Sequence, residues 1–296
     1  MNVLADRIDV ARLAPFQEGG RIRVEALDSY ERRGEAAAAL ASLRKALALQ
    51  KRLCVTLLAP GEYQWQQIEA PDVPPEEQKE AARWRLKDLL EYPAEAATVD
   101  VLDIPVDAAP GRARSIFAVS AQNDVISREM AGFSAAGVPL DAIDVPETAQ
   151  RNVAALFEDE NRGLALLVVN DAGGLLTFTH KGTLYATRRI EVTGSQLADA
   201  PQERREQLFE RIGLELQRSI DNFDRQFGFI TLTRLLVAST SVAEGLIDYL
   251  APNLSVPVAG LDLAQVADFA GVPELAQPAR QAQCLHAIGA ALRPAP

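Results

Sequence analysis

Between two apolar runs the chain carries Asn170-Asp171-Ala172-Gly173-Gly174. A glycine-rich turn of this kind can aim backbone N–H groups at a phosphate. The same residues also suit any tight hairpin, because Asp and Gly accept positive φ. An Asp-based metal site finds no second carboxylate at hand in the sequence. Neither Gly-x-x-x-x-Gly-Lys-Ser/Thr nor Gly-x-Ser-x-Gly occurs, so a P-loop and a serine-hydrolase elbow have no support. The acid pairs Glu76-Glu77 and Glu158/Glu160 fall in helix caps and loops, where solvation explains them. Cys54 and Cys284 lie far apart in apolar stretches and read as small buried hydrophobes in a reducing compartment. His180 reads as a turn residue and His286 as a helix residue, each without a Cys or His companion at ligand spacing.

The elements that must position these residues alternate between strand and helix. Residues 8–13 and 21–27 alternate apolar and polar around Gln17-Glu-Gly-Gly20, a hairpin pattern. Residues 35–52 read as a helix with Ala36, Leu40, Leu43 and Leu47 on one face. Strands follow at 53–59 and 63–70. A helix opens at Pro74-Pro75-Glu76-Glu77 and runs to Tyr92, stopped by Pro93. Strands at 98–104 and 115–120 flank a loop at 107–111. A helix at 121–136 ends at Gly137, a strand spans 140–145, and Pro146 opens a helix to Phe157. The second half begins with a three-strand meander over 164–192. Its strongest signal is the helix at 203–227, where Phe209, Ile212, Leu216, Ile220, Phe223 and Phe227 share one face. A strand at 231–238, a helix at 242–250, a strand at 256–261 and a small-residue helix at 281–293 close the pattern. This alternation argues for an α/β architecture in two halves, with the boundary at Glu158-Asp-Glu-Asn-Arg-Gly163.

Composition sets limits on function. The 296 residues suffice for two domains, and 48% hydrophobic with 24% charged residues is ordinary for a soluble globular protein. A net charge of −11, with no run of five Lys/Arg, disfavours nucleic acid and anionic lipid. No run of about 18 apolar residues is present to span a membrane. The first residues lack the basic-then-apolar pattern of a signal peptide, which makes the cytoplasm the expected compartment.

Several segments together resemble a known family. Pro60-Gly-Glu-Tyr-Gln-Trp-Gln-Gln-Ile-Glu-Ala-Pro71 is followed by Glu76-Glu77-Gln-Lys-Glu-Ala-Ala-Arg-Trp-Arg-Leu-Lys-Asp-Leu-Leu90. Further on come Ile116–Ala121, Ala135-Ala-Gly-Val-Pro-Leu-Asp-Ala-Ile-Asp144, Glu215-Leu-Gln-Arg-Ser-Ile220 and Ala287-Ile-Gly-Ala-Ala-Leu-Arg293. From about Leu53 onward this combination is similar to the family of the MSHA-pilus biogenesis protein MshI and the type IV pilus assembly protein PilM. The resemblance implies an actin-like (FtsA/PilM-type) α/β fold of two domains. Domain 1 would span 1–157, with subdomain 1A split around a 1C-type insertion at about 53–120, and domain 2 would span 163–296. It also implies a cytoplasmic scaffold, peripheral to the inner membrane, that binds the tail of a PilN-like inner-membrane protein in a groove near 1A and 1C. The assembly motor ATPase is a further implied neighbour.

The departures from the family decide what is expected of chemistry. The first phosphate turn is missing, because the chain reaches the family's second strand by Ile8. Leu175-Leu176 stand where the family has Ser/Thr, and the adenine loop reads Ala238-Ser-Thr-Ser-Val242. What remains is a vestigial nucleotide pocket of Asp171, Gly173, Glu215, Arg218, Ser239 and Thr240. The expectation is therefore a non-enzymatic adaptor with no cofactor; ATP and Mg would enter only if that pocket functioned. The rival readings are an actin-like ATPase or sugar-kinase-like enzyme, and a GspL-like cytoplasmic part of a type II secretion platform. Tyr63, Trp65 and Trp84 are the expected partner anchors, since aromatics dominate peptide-binding hot spots. The acidic balance suggests a partner tail that carries Lys or Arg.

Overall fold

The structure is a computed structural model that describes residues 1–14, 21–32, 34, 36–105 and 114–294. The expected turn at 17–20 and loop at 107–111 lie outside these residues. The first half opens with β1 (Asn2–Val3), β2 (Arg7–Leu13) and β3 (Ile22–Glu31), an antiparallel meander. After α1 (Ala36–Leu47) comes β4 (Val55–Leu57). The Met1 amino group donates to the Val55 carbonyl at 2.6 Å and so brings β4 alongside β1. Next are β5 (Tyr63–Glu69), α2 (Gln78–Arg85), β6 (Ala97–Ile104), β7 (Ser115–Gln122), α3 (Asn123–Ala136), β8 (Ala142–Asp144) and α4 (Pro146–Ala154). β8 pairs parallel with β4. β5, β7 and β6 form their own antiparallel sheet between β4 and α3, in the order β5-β7-β6.

The second half repeats the scheme of the first. β9 (Gly163–Asn170), β10 (Gly173–His180) and β11 (Thr183–Ile190) make an antiparallel meander. After α5 (Gly194–Asp199) and α6 (Gln202–Gln226), β12 (Leu232–Ser239) pairs parallel with β9. After α7 (Ala243–Leu250), β13 (Val258–Gly260) pairs parallel with β12. β14 (Ala267–Asp268) joins the free side of β3, and α8 (Pro278–Ala291) closes the chain. Both halves thus combine a three-strand meander with parallel strands reached through crossovers; in the first half β4 and β8 pair with each other and lie beside the meander.

β9, a central strand between antiparallel β10 and parallel β12, is apolar on both sides because both sides are covered. Ala165, Leu167 and Val169 face a core built with α6, while Leu164, Leu166 and Val168 face α4 and α8. The apolar stripe of α6 lies buried, and Phe223 stacks on Phe178 with ring centroids 4.6 Å apart. α8 reaches α4 closely enough that a Cβ at Gly289 would collide with the Ala149 carbonyl. Small residues at 287, 289 and 290 serve this close approach.

Several elements are shorter than the sequence suggests. β4 covers three residues, and Leu53 is 67% exposed. The helix opened by Pro75 is α-helical only to Arg85, because turns follow from Leu86 to Leu89. His180 ends β10 and is buried, rather than occupying the turn. The turn expected to be missing before Ile8 is present: β1 pairs with β2, and Leu4–Asp6 link them. Two residues of strand carry no readable period, which is why the hairpin was invisible in the sequence.

Candidate functional site: a cleft and a groove

The two meanders face each other with their first turns. Between them lies a cavity of about 270 Å³ lined by Leu4, Ala5, Asp6 and Arg7 on one side and Asn170–Gly174 on the other. That is slightly below the roughly 300–1,000 Å³ common for pockets that engulf a drug-sized ligand. Its inner wall includes Pro146, Leu175, Arg189 and His286.

The polar groups of the cleft are engaged with one another. Glu147, 1% exposed at the start of α4, accepts from the Arg189 guanidinium at 2.7 Å and from the Tyr63 hydroxyl at 2.5 Å. Arg189 also donates to the Tyr63 oxygen. Burial and the Glu147 charge push the Tyr63 hydroxyl pKa strongly up, so it stays protonated and donating. Burial opposes the charge on Arg189, but Glu147 and Tyr63 outweigh it and raise its pKa. Gln150 donates to the carbonyls of Leu166 and Leu175, and its amide oxygen meets His286 Nε2 at 3.1 Å. Burial, assisted by Arg189, lowers the pKa of His286 to about 4, so this imidazole is neutral near pH 7. Across the mouth, Arg7 pairs with buried Asp9 at 3.2 Å and reaches Asp171 at 3.9 Å.

Four backbone donors of the neighbouring loops are engaged as well. The Leu4 N–H bonds Arg7 O, and the Ala172 N–H bonds the side chain of Asn170. Thr240 N–H bonds Val169 O, and Ser241 N–H bonds the Ser239 hydroxyl. Gly173 has φ of +107°, so the turn requires a glycine there for its own geometry.

A second concavity, about 420 Å³, lies between β6 and α4. Asp100, Val101, Leu102 and Val119 form one wall; Ile143, Asp144, Val145, Thr148 and Arg151 form the other, with Arg293 and Pro294 at one end. β6 is the edge of its three-stranded sheet among the described residues. Asp144 is 7% exposed. One of its oxygens accepts from the Val145 N–H and the Thr148 hydroxyl, and the other accepts from Arg293 at 2.7 Å. Asp100 pairs with Lys79 at 2.8 Å. Arg151, beside Asp144, bonds only the amide oxygen of its neighbour Asn152, and it has no ion pair among the described residues.

The residues singled out from the sequence are scattered over these features. Asp171 and Gly173 line the cleft. Glu215 and Arg218 pair with each other on α6, and Glu215 also takes Arg188 of β11 at 2.9 Å. Ser239 is buried at the end of β12, and Thr240 crowds Gly194. Tyr63 belongs to the cleft network, and Trp65 packs on Phe117 with centroids 4.9 Å apart, inside the core that holds α6. Trp84 is 49% exposed on α2, where its indole N–H bonds Glu80. Arg7, Glu147, Arg189, Asp144 and Arg151 went unnoticed in the sequence. Each is a lone charge whose meaning depends on a partner remote in the chain.

No protein-family model matches the chain, and no curated protein matches it. Solved structures do match. A chain of the PilM-PilN type IV pilus biogenesis complex superposes with a TM-score of 0.73 at 19% identity, covering 99% of this chain and 96% of that one. The cytoplasmic domain of EpsL, an inner membrane component of the type II secretion system of Vibrio cholerae, gives 0.46 at 14% identity over 96% and 92%. A Bacteroides thetaiotaomicron protein with an actin-like ATPase fold gives 0.49 at 10% identity over 93% and 94%. The fold is mixed α/β of the actin-like, two-domain kind. Within that class the chain has the same fold as the PilM-PilN complex chain along nearly its full length.

Proposed function

We propose that this chain is a non-enzymatic adaptor of a type IV pilus assembly platform, of the MSHA-like kind, that holds the cytoplasmic tail of a PilN-like inner-membrane protein. The observation that carries this reading is the contrast between the two concavities. A triphosphate needs free backbone N–H groups, a metal and cationic side chains. In the cleft Leu4 and Ala172 have their N–H groups committed, as do Thr240 and Ser241 in the neighbouring loop; Asp6 and Asp171 add negative charge, and Arg7 and Arg189 are held by carboxylates. This donor set does not fit a polyphosphate, so no ATP chemistry is assigned to it. The groove offers an edge strand, apolar walls and, among the described residues, an arginine without an ion pair, features suited to an extended peptide.

The fold likeness to a chain from a pilus biogenesis complex supports the choice of platform. Among the described residues no helix is long and apolar enough to cross a membrane, so a membrane-anchored partner would bring the chain to the inner membrane. In this reading residues 1–157 act as domain 1, with the β5-β7-β6 sheet as its insertion, and 163–296 as domain 2. Trp84 remains a candidate rim contact on α2, while Tyr63 and Trp65 support the walls from inside.

The test is calorimetry with the N-terminal tail peptide of the PilN-like protein encoded beside this chain, together with a phosphate-release assay in Mg-ATP. Saturable binding of the tail and no turnover above buffer are expected. ATP turnover, or a tail that never binds, would overturn the adaptor reading.

A further inference from the structure

Among the described residues, the groove between β6 and α4 holds one arginine, Arg151, that forms no ion pair. Asp144 is the only buried carboxylate there, and both its oxygens are occupied, one by Arg293 and the other by the Val145 N–H and Thr148. Asp100 is drawn outward by Lys79. Arg151 is left with a single amide oxygen for a guanidinium that carries five donors. It sits on a fixed element, since α4 is clamped to α8 and the adjacent Asn152 bonds the Gly289 carbonyl at 2.9 Å. Burial lowers the Arg151 pKa; the nearby Asp144 charge opposes this, and Arg293 adds to it.

We propose that Arg151 is the specificity residue of this groove and that it selects an extended partner segment bearing an Asp or Glu side chain. The guanidinium fork takes the carboxylate in two parallel hydrogen bonds. The segment runs along the β6 edge, with its apolar side chains on Val101, Leu102, Val119 and Ile143. The net charge of −11 points the other way, toward a basic tail. Its field is screened beyond about 8 Å at physiological salt, whereas the Arg151 contact is local and partly desolvated. The local arginine therefore decides the sign of the ligand. This inference rests on the peptide-groove reading but not on the identity of the partner.

The test selects short random peptides, displayed on phage, against the full chain and against Arg151→Ala. On the native chain the winners should share one Asp or Glu at a fixed distance from apolar residues. A synthetic winner should lose at least about tenfold in affinity when that acid is made Asn or Gln, or when Arg151 becomes Ala, the scale of a charge-assisted hydrogen bond. Arg151→Glu should turn the preference to Lys or Arg at the same position, which separates recognition from damage to the fold. Winners without an acid, an acid retained on Arg151→Ala, or no winners at all would overturn the proposal. If acidic winners emerge but the PilN-like tail fails to bind, the partner assignment falls and the carboxylate specificity stands.

Discussion

The cleft and the groove share α4, yet their charges are arranged in opposite ways. In the cleft Glu147 is matched by Arg189 and Tyr63, Asp9 by Arg7, and Gln150 by His286 and two carbonyls. In the groove, four residues along the same helix, Arg151 has no ion pair among the described residues. A closed network holds structure together, because each buried polar group has an internal partner. An open valence in a partly buried place calls for a partner from outside. The proposed reading therefore puts partner binding on the β6 side of α4 and makes the cleft side a joint.

The comparison breaks most easily at Arg189. Arg189→Ala leaves Glu147 buried with only a phenol, and the expected loss in urea denaturation is about 2–4 kcal/mol, somewhat below the range for a fully buried pair because Arg189 is 40% exposed. A loss below about 1 kcal/mol would mean that the cleft network is not structural. Next is Gly289→Ala, which drives a methyl into the Ala149 carbonyl and should cost about 1–3 kcal/mol by overpacking. It should loosen cleft and groove together, since both are hung on the α4–α8 contact.

The pH dependence sharpens the same point. His286 is held neutral, with its folded pKa depressed to about 4. The unfolded chain therefore binds more protons between pH 6.5 and 4, and stability falls as pH falls through that window. The slope from this residue is at most about 1.4 kcal/mol per pH unit. His286→Gln should flatten that part of the curve, and an unchanged slope would place the titration elsewhere. At the small end, Arg151→Ala should change stability by no more than about 0.5 kcal/mol, in contrast to Arg189→Ala. A larger loss would make Arg151 part of the joint.

Much of the fold was legible in residues 163–296. The meander, the six-residue apolar stripe of α6 and the small residues of α8 all reflect strong local constraints, and each appears where its period places it. The first half was less legible. β1 has two residues and β4 three, too few to show alternation, and the Met1–Val55 bond that joins them is remote in sequence. The candidate site was legible only at the Asp171–Gly173 turn. Arg189 lies in a strand of ordinary pattern, and its meaning depends on Glu147, 42 residues away. Tyr63 and Trp65 looked like surface anchors because aromatic type says nothing about which way a strand faces. The expectation of a basic tail comes from total charge, which averages over the whole surface, whereas the proposed acid preference comes from one local arginine.

The most direct measurement is a calorimetric titration of the full chain with the PilN-like tail, run with and without millimolar Mg-ATP. The account predicts saturable tail binding of the same affinity in both, abolished or strongly weakened in Arg151→Ala, and no heat from Mg-ATP alone. Micromolar binding of Mg-ATP in the cleft, or tail binding indifferent to Arg151, would contradict it.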